Sequence, residues 1–197
     1  MSETFTATAS SSSTIGSAQY GSASWYTGTS NGASQGAYQG TTAAKSLVGV
    51  MLFANAGSAL RGKVIQTIQL TITCSGAGSG SNSKVLTFHA STVQTMPSGV
   101  TGSSVVGDTL GTLTGKFYNN TVTHTLSASE NAALFAAMAA YLSAGNSALV
   151  LYNGETSSSS GYSTNYARVT SITITVTYVE AAVWYNDGGT WKECAVY

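Results

Sequence analysis

An all-β, mainly antiparallel sandwich with one α-helix is the fold this sequence predicts, and three observations carry the prediction. Val, Ile, Leu and Thr alternate at a period of two over residues 66–74, 84–90 and 169–178, the pattern of strands with one buried and one wet face. Gly-, Ser-, Asn- and Thr-rich stretches separate these runs, as turns separate strands. One segment alone carries helical spacing.

Composition agrees with a folded but unusually neutral domain. The chain has 197 residues, of which 43% are hydrophobic, so a substantial core is available. Only 7% are charged and the net charge is zero, against a usual charged share of about a quarter. Ser and Thr fill the gap at roughly 30% of the chain. Such richness is compatible with disorder, but the alternating runs argue for strands over most of the length. Near-zero charge favours association. The seven cations, Lys45, Arg61, Lys63, Lys84, Lys116, Arg168 and Lys192, are dispersed, which leaves no basic stripe for nucleic acid. No run approaches the roughly 20 apolar residues of a membrane helix, so no membrane insertion is expected. Met1-Ser2-Glu3-Thr4-Phe5 lacks the basic and apolar regions of a secretory leader, and the expectation is a chain made in a cytoplasm. Cys74 and Cys194 lie far apart with no metal-ligand spacing. Two free thiols, not bonded to each other, are expected.

Taken in order, Thr4-Phe5-Thr6-Ala7-Thr8 alternates as a first strand, and the rest of residues 5–45 reads as loops with short edge strands. Leu47-Val48-Gly49-Val50-Met51-Leu52-Phe53 is a buried strand ending in the turn-like Ala54-Asn55-Ala56-Gly57-Ser58. In residues 66–74, Ile68, Leu70 and Ile72 share one face, and Thr67, Gln69, Thr71 and Thr73 the other. After a Gly/Ser loop over 75–83, residues 84–90 are expected as the hairpin partner of that strand. Residues 91–115 hold the lone proline, Pro97, with short strands at Val105-Val106 and Leu110 to Leu113. Residues 117–126 alternate again, with Val122, His124 and Leu126 on one side.

The helix follows. Ser127-Ala128-Ser129-Glu130 has capping-box spacing, and Leu134, Phe135, Met138, Tyr141 and Leu142 fall along one helical face before Gly145. Ala148-Leu149-Val150-Leu151-Tyr152 is a buried strand, 153–166 a polar loop, and 169–178 the most regular strand, with Ile172, Ile174 and Val176 facing in. A core shared by Ile68, Leu70, Ile72, Leu86, Phe88, Ile172, Ile174 and Val176 is expected. Beyond Glu180, residues 182–194 read as a hairpin around Asp187-Gly188. The division expected is a sandwich over 1–179 and a hairpin appendage over 180–197.

No catalytic constellation emerges. His89 and His124 both lie in strand-like runs, and the seven acids, Glu3, Asp108, Glu130, Glu155, Glu180, Asp187 and Glu193, are scattered. Glu130 is accounted for by the cap and Asp187 by the turn. The glycines at 76, 78 and 80 lack the lysine and helix of a phosphate loop. The expectation is no enzyme, no metal and no cofactor. Aromatic rings are the more informative set. Trp25, Tyr26, Tyr38, Tyr152, Tyr162 and Tyr166 lie in or beside polar loops and are the candidate ligand-binding residues, since aromatic faces flanked by Asn, Ser and Thr suit sugars. The competing account has the same rings capping the sandwich or packing on a neighbouring subunit. Trp184, Tyr185, Trp191 and Tyr197 crowd a segment too short to bury them, and are candidate interface residues of a homo-oligomer.

Two stretches point to a family. The first runs from Arg61-Gly62-Lys63-Val64-Ile65 and the strand after it, through the helix at 129–143 and Leu149-Val150-Leu151-Tyr152, to Ile172-Thr173-Ile174-Thr175-Val176-Thr177-Tyr178. It resembles the jelly-roll sandwich domains of phage tail proteins and some bacterial surface proteins. The second, Val183-Trp184-Tyr185-Asn186-Asp187-Gly188-Gly189-Thr190-Trp191-Lys192-Glu193-Cys194-Ala195-Val196-Tyr197, is similar to the aromatic-glycine hairpin tails on phage virion structural proteins. The resemblance implies a jelly-roll-like β-sandwich in a virion: a fibre-like component of tail or head, contacting the host cell surface. It implies other virion proteins and a host surface glycan as partners, and a trimer by analogy with fibres. The alternatives are a carbohydrate-binding module of a bacterial surface protein and a capsid decoration protein without ligand.

Overall fold

The computed structural model describes residues 1–77, 83–157, 161–187 and 189–194, with backbone alone over 183–187 and 191–194. Two antiparallel sheets face each other. One holds β1 (Glu3–Ala9), β11 (Ala167–Val179), β6 (Val64–Cys74) and β9 (Asn120–Leu126) in that spatial order, with β4 (Ala33–Gln35) also paired to β11. The other runs β3 (Tyr26–Thr27), β2 (Ile15–Gln19), β5 (Leu47–Leu52), β10 (Ala148–Leu151), β7 (Lys84–Ser91), β8 (Val106–Gly115). Setting the short β2, β3 and β4 aside, eight strands remain. Numbered 1 to 8 along the chain, they form sheets ordered 1-8-3-6 and 2-7-4-5, the jelly-roll arrangement of two interleaved Greek keys. A separate hairpin pairs β12 (Val183–Asp187) with β13 (Thr190–Cys194).

The expected core forms. Ile68, Leu70 and Ile72 on β6, Ile172, Ile174 and Val176 on β11, and Leu86 and Phe88 on β7 are fully buried in one cluster between the sheets. Val122 and Leu126 of β9 join it, and the His124 ring packs 5.8 Å from Phe117. The pairing of β6 differs from expectation. Its neighbours are β11 and β9, whereas β7 lies in the opposite sheet between β10 and β8. Alternation fixes which face of a strand is buried. It does not say whether the next strand sits beside it or across the core.

The outer faces of the two sheets are built oppositely. On the first, Thr8, Thr173, Thr71 and Thr123 form one cross-strand row. Neighbouring rows bring Thr6 beside Thr175 and Thr73 beside Thr121. Hydroxyl pairs at 2.7–3.3 Å tie several of these rungs. In the second sheet β5 and β10 are apolar on both faces. Val48, Val50 and Val150 point away from the main core into a second cluster with Val105, roofed by Tyr20, Trp25, Val93, Met96 and Tyr152. Two of the loop segments that form the roof are joined by Gly102 N–H to Ser22 O (2.9 Å) and Ser103 N–H to Tyr20 O (2.6 Å).

Helix α3 (Ala132–Ser143) buries Leu134, Met138 and Leu142 and packs across β8, β6 and β9. The Ser127–Glu130 segment is a turn ahead of it rather than its cap. Ser127 Oγ accepts from Glu130 N–H at 3.1 Å, while the residue before the helix is Asn131, left-handed at φ 53° with no side-chain cap bond. Glu130 therefore has no capping role. Gly145 ends the helix as expected, at φ 93° with its N–H on Leu142 O. Two shorter helices, α1 (Ala56–Leu60) and α2 (Gly102–Val105), occupy stretches read as loop. The Val105-Val106 and 110–113 pieces resolve into Val105 ending α2 and one long strand, β8.

Candidate functional site

Strand β4 creates the site. It pairs with β11 in the first sheet, and just beyond it Leu47 N–H, at the start of β5 in the second sheet, bonds Gly36 O at 2.7 Å. The segment 33–36 thus spans one margin of the sandwich. Gly49 on β5 permits the crossing, because a Cβ there would stand 2.5 Å from Ser34 N and 2.7–2.8 Å from Ala33 backbone atoms. Gln35, fully buried, anchors the crossing. Its amide donates to Val85 O (2.7 Å) and Asn165 O (2.9 Å) and accepts from Thr87 N–H (2.9 Å), which satisfies β7 backbone groups where the β10 ladder gives out.

A cleft of about 180 Å³ opens at this margin, lined by Ser17, Gln19, Tyr26, Asn31, Ser34, Tyr38, Leu47 and Arg168. Ser17 and Ser34 form its floor and are internally bonded: Ser17 Oγ donates to Gly32 O at 2.6 Å and accepts from Ser34 N–H at 2.8 Å. Arg168 stands opposite Ser34 on β11, directly before a register shift between Val169 and Ser171. Such irregularities re-aim the side chains around them. Gly32, at φ 61°, lets the 28–32 loop pass beneath the arginine, since a Cβ there would lie 2.9 Å from Arg168 Cγ and 2.5 Å from Val169 O.

Of the six rings expected to bind ligand, two line the cleft: Tyr26, 61% exposed, and Tyr38, half-buried. Two stand behind it. The Tyr162 and Tyr166 rings lie 6.1 and 6.2 Å from Tyr38 and 4.6 Å from each other. Tyr162 is exposed on its outer side, but Tyr166 is fully buried. Tyr166 is therefore corrected from a ligand-contacting to a bracing residue, and burial pushes its phenol pKa up. The remaining two belong to the roof of the second sheet. Trp25 Nε1 donates to Val100 O at 2.8 Å, and Tyr152 stacks on Tyr20 at 4.7 Å and 15°. Trp25 and Tyr152 thus cap the sandwich, the competing account. Trp184, Tyr185 and Trp191 have side chains outside the described residues, as does Tyr197 altogether.

Arg168 is the residue that sequence reasoning missed. It was one dispersed cation among seven, and nothing in its neighbourhood along the chain marks it. In space it has no carboxylate partner among the described residues; the ion pair there joins Lys63 to Glu180, with Nζ to Oε2 at 2.6 Å. Among the described residues Arg168 reaches only Ser30 O (3.4 Å) and Tyr166 OH (3.3 Å), and its enclosed Nε has no partner there.

Other reactive groups are held structurally. The His89 ring nitrogens each lie 3.0 Å from a backbone oxygen, of Gly107 and of Tyr152. Glu155 accepts from the Asn165 backbone and side-chain N–H groups at 2.8 and 2.6 Å. Cys74 is a free, buried thiol whose pKa burial pushes up to about 12, and the Cys194 side chain lies outside the described residues. Lys84, almost fully buried, has its pKa lowered by loss of hydration. Among the described residues no three His, Cys, Asp or Glu side chains gather as metal ligands, and no helix is long and apolar enough to cross a membrane. No protein-family model matches the chain, and no curated protein matches it significantly.

Proposed function

We propose that this chain is a surface-contacting binding domain, a fibre-like structural component of a phage virion that engages a glycan on its host through the cleft beside β4. The observation that carries the reading is the cleft itself: Tyr26 and Tyr38 beside Gln19, Asn31 and Arg168, which has no carboxylate partner among the described residues, open at one margin of a jelly roll. Rings that offer an apolar face, with amides and a guanidinium to bond hydroxyls, form the lining that sugars require. The neutral, threonine-covered sheet supports use as one repeated part of an assembly, because little charge repulsion opposes the packing of copies. A homotrimer is part of the proposal.

Carbohydrate-binding module is the second reading, favoured by the same cleft. A glycan array read together with native mass spectrometry of the purified chain separates the possibilities. A trimer that retains glycan supports the virion fibre. A monomer that retains glycan favours the free binding module. An oligomer that retains none points to a decoration protein without ligand.

A further inference from the structure

The geometry points to a carboxylate-bearing sugar, a sialic or uronic acid at the end of a glycan, as the ligand of the Arg168 cleft. This inference rests on the glycan-binding reading above and narrows it. The first argument is charge. An arginine is costly to withdraw from water and is ordinarily paired when it is partly buried. Arg168 is half-buried, and among the described residues its enclosed Nε has no partner and no acidic side chain lines the cleft. The two bonds it makes are long and employ one hydrogen on each terminal nitrogen. Two weak neutral acceptors leave donors of the guanidinium in surplus, and a planar guanidinium is the group that grips a carboxylate through both oxygens.

The second argument selects carboxylate over phosphate. Among the described residues Arg168 is the lone cation of the lining, so the cleft supplies one positive charge in a planar fork. That matches a singly charged, planar carboxylate better than a phosphate monoester carrying nearly two charges. The third argument is size. At about 180 Å³ the cleft falls below the roughly 300–1,000 Å³ of sites for drug-sized ligands. It has room for one sugar residue, so recognition is of a terminal or branching unit. Tyr26, the most exposed of the lining rings, provides a stacking surface, while the Gln19 amide and the Asn31 carbonyl oxygen are placed for hydroxyls. Asn31 is oriented by its amide, which donates to Thr27 O at 3.1 Å.

The test is titration of the full chain with 3′-sialyllactose and tetragalacturonate against lactose and cellotetraose. One of the acidic probes is expected to bind and the neutral ones not. Arg168→Gln should weaken that binding roughly ten- to a hundredfold, the worth of a charge-assisted pair. Arg168→Lys should restore only part of it, because a point charge lacks the fork. Tyr26→Ala removes a ring that is 61% exposed, so it leaves the fold intact and should still weaken binding several-fold. It serves as the second variant if Arg168→Gln fails to fold. Equal binding of acidic and neutral probes, unchanged in Arg168→Gln, would overturn the acidic class and leave the glycan reading standing. Competition by inorganic phosphate that exceeds competition by acetate would overturn the carboxylate. No binding of any probe at millimolar concentration would overturn both this inference and the glycan reading.

Discussion

The two sheets solve the same problem in opposite ways. Each buries one face against the other. The β1-β11-β6-β9 sheet then offers water a lattice of Thr hydroxyls, whereas β5 and β10 of the other sheet offer Val48, Val50 and Val150 to a roof of loops. Threonine is a β-branched residue that fits a pleated surface and remains soluble. A strand can therefore carry it on an open face with no charge at all. Valine has the same shape without the hydroxyl, and its sheet needs Tyr20, Trp25 and the 91–106 segment above it. The first sheet is finished by its own strands, and the second only by distant parts of the chain.

The largest expected effect breaks the second arrangement where β4 crosses it. Gly49→Val would drive a side chain into the Ser34 and Ala33 backbone, 2.5–2.8 Å away. A loss of about 3 kcal/mol or more is expected from overpacking against backbone that cannot yield, measured as a fall in denaturation midpoint. Unchanged stability would mean that β4 does not lie on β5.

Next come matched substitutions that exchange the two outer faces. Val150→Thr keeps the shape and places a hydroxyl in the roofed cluster, where Val150 is fully buried. About 1–3 kcal/mol should be lost. A cost near zero would indicate that water reaches that cluster and that the roof does not seal.

Cys74 tests how dry the space behind the threonine sheet is. Burial raises its thiol from an ordinary value of 9.0 to about 12 in the fold. Between those values the folded state keeps the proton and the unfolded state gives it up, so stability falls as pH rises. The contribution is fully present below pH 9 and fades at up to about 1.4 kcal/mol per pH unit above it. Denaturation midpoints of the parent should drop from pH 9 to 10.5 more steeply than those of Cys74→Ala. Parallel curves would show the thiol to be hydrated.

The smallest effect is the converse of the valine exchange. Thr173→Val removes an exposed hydroxyl pair with Thr8 at 2.7 Å and should change stability by no more than about 0.5 kcal/mol. A large loss would mean that the threonine rows act as a cooperative network rather than as a soluble coat.

Legibility followed the same division. The strands of the threonine sheet stand out because their alternation records one wet and one dry face, so β6, β9 and β11 and their inward residues are readable directly. The apolar run at 47–53 is readable as buried, but its second apolar side gives no hint of what covers it. The helix at 132–143 declared itself through Leu134, Met138 and Leu142, while its start was misplaced because Ser127 bonds within a turn. Of the candidate site, Tyr26 and Tyr38 were readable as rings among polar residues. Arg168 was not, since an unpaired charge is defined by what is absent around it in space.

The sequence by itself determined that this chain forms antiparallel strands, which faces they bury, and that its surface is neutral and hydroxylated. These follow from side-chain alternation and composition, and both are local properties. Only the tertiary structure decided the 1-8-3-6 and 2-7-4-5 strand orders, the roof over the valine face and the meeting of Tyr26, Tyr38 and Arg168. Each of these joins residues far apart in the chain, and the free energy that joins them comes from apolar area that two or more elements bury together. No single element carries that area in its own pattern.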